Sequence, residues 1–273
     1  MKKKNYKKMR TITSIIFAII VIAITLSVVI YRWLPTLTGA KEKEHLENKH
    51  LKVDPGKLLN LKALNNIQED KSAKQQVITV DEKYEDNPVV KGANWCLNKK
   101  FNYDFDMAYR LTVYDKEGKI HKKPIYPWGD IDPNIGVCTD VVVRAYRQLG
   151  IDLQQLLHED AVKNKNAYPY SRWGNQAPDT NIDHRRVPML EVFFKRHAKS
   201  LTTKATSDTW KPGDIVIWDM NNDNWSDHIG IISNKKMNDK YLVIHNFPSP
   251  GYVAEEDVLY QWKIAGHYRY LPE

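Results

Sequence analysis

The chain predicts an α+β fold behind one N-terminal transmembrane helix, and three observations carry this. A charge-free apolar run spans Ile12 to Ile30. Segments with helical periodicity follow between residues 137 and 197. From Ile215 to Tyr270 the apolar segments are short, rich in Ile and Val, and separated by turn residues, which is the pattern of strands. Helices first and an antiparallel meander after is the α+β order.

The chain opens with Lys2, Lys3, Lys4, Lys7, Lys8 and Arg10 and no acidic residue among them. These six account for most of the formal net charge of +8. The remainder is close to neutral, so the high pI marks a short tail rather than a basic binding surface, and nucleic acid is not an expected partner. The apolar run from Ile12 to Ile30, at about 1.5 Å per residue, reaches about 28 Å, the thickness of a bilayer core. It ends in Tyr31-Arg32-Trp33, residues suited to the membrane interface. A secretory signal would be shorter and end in small residues, and Thr38-Gly39-Ala40 keeps a late cleavage open. The basic tail, residues 1–10, belongs in the cytoplasm. The anchor spans 11–33, and the rest of the chain lies outside a cell membrane crossed once.

Residues 34–86 are rich in Lys, Glu, Asn and Gln and contain no Phe after the anchor, which suits a polar spacer. Aromatic residues return from Trp95, so the folded domain is expected over 87–273, long enough for one substantial core. Asn94 to Tyr114 fits either a strand or a helix face. Pro124 to Gly136 is a loop. Val137 to Leu149 is a helix with Val141, Val142, Ala145 and Leu149 on its apolar side and Gly150 as its stop. Ile151 to Lys165 and Val187 to His197 are further helices. Lys211-Pro212-Gly213-Asp214 is a turn capped by Asp214. It leads to strands at Ile215–Trp218, His228–Ser233, Tyr241–Asn246 and Gly266–Tyr270.

Only two cysteines occur, Cys96 and Cys138. Cys138 stands where the loop turns into a helix, and the positive end of a helix dipole favours thiolate, the reactive form. His228 opens one strand and His245 lies near the end of the next. If those strands pair, one histidine can orient the other, and the set has the parts of a cysteine nucleophile with its base. Three blander readings stand beside this one. Cys138 could be a small core residue. A Cys96–Cys138 disulfide is permitted outside the cell. Cys138, His228 and His245 could hold a metal, although no close ligand pair supports that.

The segments Tyr126-Pro127-Trp128-Gly129-Asp130, Gly136-Val137-Cys138-Thr139-Asp140-Val141-Val142, Tyr146-Arg147-Gln148-Leu149-Gly150-Ile151, Pro212-Gly213-Asp214, Asp227-His228-Ile229-Gly230-Ile231 and Val243-Ile244-His245 resemble, in order, the motifs of NlpC-type cell-wall peptidases. That resemblance implies a papain-like domain in which Cys138 is the nucleophile, His228 the general base, His245 its orienting partner and Tyr126 an aid to the oxyanion. It implies a peptidase or amidase acting on peptidoglycan peptide or another peptide or amide substrate, with no cofactor and no metal. An acyltransferase or esterase of the same fold, and a non-catalytic wall-binding module, are the alternatives. From Tyr103 to Tyr268 the chain is also similar to a bacterial family of unknown function, number 1287. His158-Glu159-Asp160, Asn181-Ile182-Asp183-His184-Arg185-Arg186-Val187-Pro188 and Gly266-His267-Tyr268-Arg269 are its marks. Thr139-Asp140 replaces the Ser-Gly that follows the nucleophile in NlpC-type enzymes. Asp140 is a candidate acceptor for a substrate amine, and Arg185 with Arg186 a candidate clamp for a substrate carboxylate. The alternative is that Asp183 pairs with one of these arginines to brace a loop.

Overall fold

The computed structural model describes residues 77–106, 110–174, 176–204 and 209–271. The expected tail and anchor lie outside these residues, as does most of the expected spacer. Within them no helix is long and apolar enough to cross a membrane. The described part is a mixed helix and antiparallel-sheet fold. Its helices are α1 (Pro88–Lys99), α2 (Cys138–Arg147), α3 (Leu153–Lys163) and α4 (Val187–His197). Its strands are β1 (Ile78–Val80), β2 (Asn102–Tyr103), β3 (Ile135–Gly136), β4 (Lys199–Ser200), β5 (Ile215–Asp219), β6 (His228–Met237), β7 (Lys240–Asn246), β8 (Val253–Glu256) and β9 (Lys263–Arg269).

The main sheet runs β4-β9-β5-β6-β7-β8, with β1 added against the far end of β6. All of its pairings are antiparallel. The pairing of Ile78 with Met237 moves the folded part earlier than residue 87, into the segment expected to be spacer. Backbone pairing needs no apolar pattern, and all three residues of β1 are exposed. The turn between β6 and β7 is tight: Asn238 and Asp239 both have positive φ, 51° and 66°. That is the backbone twist a two-residue hairpin requires, so β6 runs to Met237 and not only to Ser233.

Two cores flank the sheet. Ile215, Ile217, Ile229, Ile231 and Ile244 face the helices and meet Val141, Val142, Ala145 and Tyr146 of α2. Val216, Trp218, Ile232 and Val243 face the other way and are covered by Trp210, Val258 and Leu259. α1 lies close on α2 because Gly92 has no side chain; a Cβ there would sit 2.3 Å from the Ala145 carbonyl oxygen. Its start is fixed by Asn87, whose Oδ1 accepts from the Val89 and Val90 amides before Pro88 can interrupt anything.

Asp214 does more than cap its turn. Its carboxylate accepts from the Lys211 amide, from His267 Nε2 at 2.8 Å and from both forks of Arg269 at 2.6 and 2.7 Å. Trp210 stacks on the same His267 with ring centres 3.6 Å apart. The turn before β5 is thereby tied to β9, which fixes the sheet that carries the histidines.

Candidate active site

Cys138 is the first residue of α2. The helix starts there because Asp140 reaches back to accept the Val137 amide at 2.7 Å, satisfying a donor that the first turn cannot. The loop before it is held by Asn246 at the end of β7, whose Nδ2 donates to the Gly136 carbonyl at 3.1 Å. The backbone amides of Ile229, Thr139 and Cys138 lie on the side of the sulfur and favour its ionised form slightly. Ile229 is the second residue of β6 and faces α2, whereas the ring of His228 before it lies with Trp218 on the other face, and among the described residues no hydrogen bond joins it to the thiol. Both cysteines are free thiols, and Cys96 donates to the Val141 carbonyl at 3.5 Å, which removes the disulfide reading.

The expected thiolate is not the resting state. Only 8% of Cys138 is exposed. Burial pushes its pKa up to about 12, and the amides and the helix start do not offset that desolvation. At rest Cys138 is a neutral, buried thiol.

His228 Nε2 lies 2.8 Å from His245 Nδ1. The pairing of β6 with β7 sets this contact, since Ile231 opposes Ile244 and the two histidines become diagonal neighbours on one face. His228 stacks on Trp218, its partner across β5, at 5.3 Å, and Phe247 and Trp262 close the other sides at 5.0 and 5.7 Å. This apolar box holds the His228 pKa well below its ordinary 6.5, and burial lowers His245 to about 4. Both rings are neutral at pH 7. His245 Nε2 in turn faces Glu256 Oε2 of β8 at 3.0 Å.

The remaining expected site residues are placed elsewhere or used internally. Tyr126 is 38% exposed and packs edge-on against His158 of α3 at 5.1 Å; its hydroxyl feels Glu159 and Asp152, not the thiol. Tyr103 of β2 pairs with Gly136, two residues before the cysteine, and its hydroxyl pKa is raised first by burial and then by Cys138. Asp140 and Arg185 are buried and turned to each other. They form a buried ion pair at 3.1 Å, and Thr139 Oγ1 donates to the Arg185 carbonyl. Arg186 pairs with Asp183 at 3.2 Å and lies over the Trp173 ring at 4.2 Å. The bracing alternative describes this segment, and it explains the departure from Ser-Gly: Thr139 and Asp140 dock the 181–188 segment beneath α2.

Sequence reasoning missed Tyr103, the Trp218–Phe247–Trp262 box and Glu256. The local signal for Glu256 was slight, a four-residue strand after Gly251. The box is assembled from three separated stretches and left no local signal.

A family model described as a domain of unknown function (DUF1287) matches residues 106–270. The chain belongs to this family. The match takes in Cys138, His228, His245 and Glu256, so the whole site lies in the DUF1287 domain, while Tyr103 falls just before it. An uncharacterized protein of Escherichia coli (strain K12), YijF, is 48% identical over 147 residues, which is 54% of this chain and 69% of YijF. Among solved structures, the DUF1287 chain is similar to NlpC2 from Trichomonas vaginalis. The TM-score is 0.37 at 15% identity, over 69% of this chain and 48% of that one. That likeness is too distant to transfer an activity.

Proposed function

We propose that this chain is a cysteine hydrolase of papain-like, NlpC-type design that cleaves an amide bond, with peptidoglycan peptide as its substrate class. It is held at the cell membrane by Ile12–Ile30, with the hydrolase domain outside. The observation that carries the reading is Cys138 at the start of α2, near the β6 residue that follows His228, a histidine that is itself bonded to a second histidine. Motif order in the sequence supports the substrate class.

In this reading the Cys138 sulfur attacks the amide carbonyl as its proton passes, by way of a bridging water, to His228 Nδ1, the nitrogen not used toward His245. A carbon–sulfur bond forms, and the carbonyl oxygen takes the negative charge, stabilised by the amides at the helix start. Collapse breaks the carbon–nitrogen bond, and the leaving amine takes the proton from His228. Water then attacks the thioester and gives a proton to His228. The carbon–sulfur bond breaks, and the thiol is restored as the acid product leaves.

The test is digestion of purified peptidoglycan by the full-length chain, with products identified by mass. The wild type should release fragments with one new amine and one new carboxyl, and Cys138→Ala and Cys138→Ser should release none while keeping the wild-type unfolding midpoint. Full turnover by Cys138→Ala would overturn the mechanism.

A further inference from the structure

The two histidines are linked to a third group that the reading above does not use. His245 Nε2 lies 3.0 Å from Glu256 Oε2, and its Nδ1 lies 2.8 Å from His228 Nε2. Strand register makes the chain of contacts continuous: Val243 opposes Glu256 and His245 opposes Ala254, so Glu256 and His245 project from the same face of neighbouring strands. We propose that Glu256 is a positioning residue that fixes the tautomer of both histidines and thereby leaves Nδ1 of His228 as the basic nitrogen. The inference rests on the reading of Cys138 as nucleophile and His228 as its base.

The direction of each proton follows from donor and acceptor capacity. A carboxylate only accepts, so the hydrogen between Glu256 and His245 belongs to Nε2 of His245. A neutral imidazole has one N–H. Nδ1 of His245 is then a lone pair and must receive the Nε2–H of His228. His228 has spent its one N–H, so its Nδ1 carries the lone pair. Both rings are buried and neutral, which is the condition this chain of reasoning needs. The other neighbours of His228 are the rings of Trp218, Phe247 and Trp262. The Trp218 indole N–H is already given to the Leu259 carbonyl at 3.1 Å and does not compete.

Without Glu256 the order has no anchor. His245 could donate from Nδ1 to His228 Nε2, and His228 would then present an N–H at Nδ1, where it cannot accept the thiol proton. Glu255, the next residue, faces the other way and is held by Ser233 and Lys235, so it does not replace Glu256.

The experiment reads ring nitrogens directly, by NMR on the full-length chain labelled with 15N-histidine, near neutral pH and without substrate. In the wild type both His228 and His245 should be Nε2–H. In Glu256→Leu the Nδ1–H form of His228 should appear. Glu256→Gln, whose amide oxygen accepts the same N–H, should restore the Nε2–H form. An Nδ1–H His228 in the wild type, or an unchanged tautomer in a folded Glu256→Leu, would overturn the proposal. The wild-type measurement stands even where the leucine variant does not fold. Tautomers are read without turnover, so a peptidoglycan digestion that fails to need Cys138 is a separate outcome from a tautomer that fails to need Glu256.

Discussion

Cys138 shows how position and environment can disagree. Its place at a helix start argues for thiolate, yet the sulfur is desolvated by the sheet it rests on, and its pKa rises to about 12. His228 is driven the other way by its aromatic box. At rest, then, both groups are neutral and no thiolate is stored. The expected outcome is an iodoacetamide reaction at Cys138 that climbs about tenfold per pH unit from about pH 7 to about pH 10, with no plateau, since the thiolate fraction is the reactive one. Peptide mapping separates Cys138 from Cys96. A plateau below about pH 8 would show an activated thiolate instead. The positions of Cys138, His228 and His245 were legible because helix starts and strand ends leave local signals. Their ionisation was not, because Trp218, Phe247 and Trp262 come from separate stretches of chain. Tyr126, named by motif order, packs against His158, and Tyr103, which pairs with Gly136 just before Cys138, left no signal in the sequence.

The element that organises the site is α2, and its first turn depends on one carboxylate. Asp140 caps the Val137 amide and neutralises Arg185, whose side chain is 1% exposed. Removing Asp140 takes away both the helix cap and a carboxylate partner of a buried guanidinium. Asp140→Ala should therefore cost about 3–5 kcal/mol in urea unfolding, with Asp140→Asn falling between it and the wild type because the amide oxygen still accepts from Val137. A loss under about 1 kcal/mol would mean that Arg185 is satisfied without Asp140. The helices were legible in the sequence at α2, α3 and α4, where apolar periodicity is strong; Val187–His197 was read to the residue. α1 was not read as a helix although Asn87-Pro88 is a start signal, since its buried face is built from Val89, Ala93 and Cys96 rather than large residues. β8 was missed because four residues carry too little pattern, and β1 because it binds through backbone alone.

Across the folded domain, the buried titratable groups set opposite limits on acid and alkaline stability. His184, His228 and His245 are all held neutral by burial, with pKa values below 6.5. The unfolded chain takes up protons at these positions as pH falls below about 6.5 and the folded chain does not, so acid favours unfolding. For His245 the drop from 6.5 to about 4 corresponds to about 3 kcal/mol at full effect. This loss grows from about pH 6.5 to about pH 4 and is complete below that. The carboxylate of Asp160, held down by Arg196 and Tyr168, loses its contribution later, below its ordinary 3.8. At the alkaline end Cys96 and Cys138 resist ionisation, so the unfolded chain releases protons first above about pH 9 and stability falls again. Urea midpoints measured from about pH 4 to about pH 10 should therefore trace a dome with its top between about 6.5 and 9. In His245→Gln the slope between about pH 6.5 and about pH 4 should flatten, while the alkaline limb stays in place. An acid slope that begins only near pH 4 would assign acid sensitivity to the carboxylates and show that the histidine pair takes up a proton without opening the fold. The same neutral histidines are what a base for Cys138 requires, so the pH range of greatest stability and the range in which His228 can accept a proton coincide.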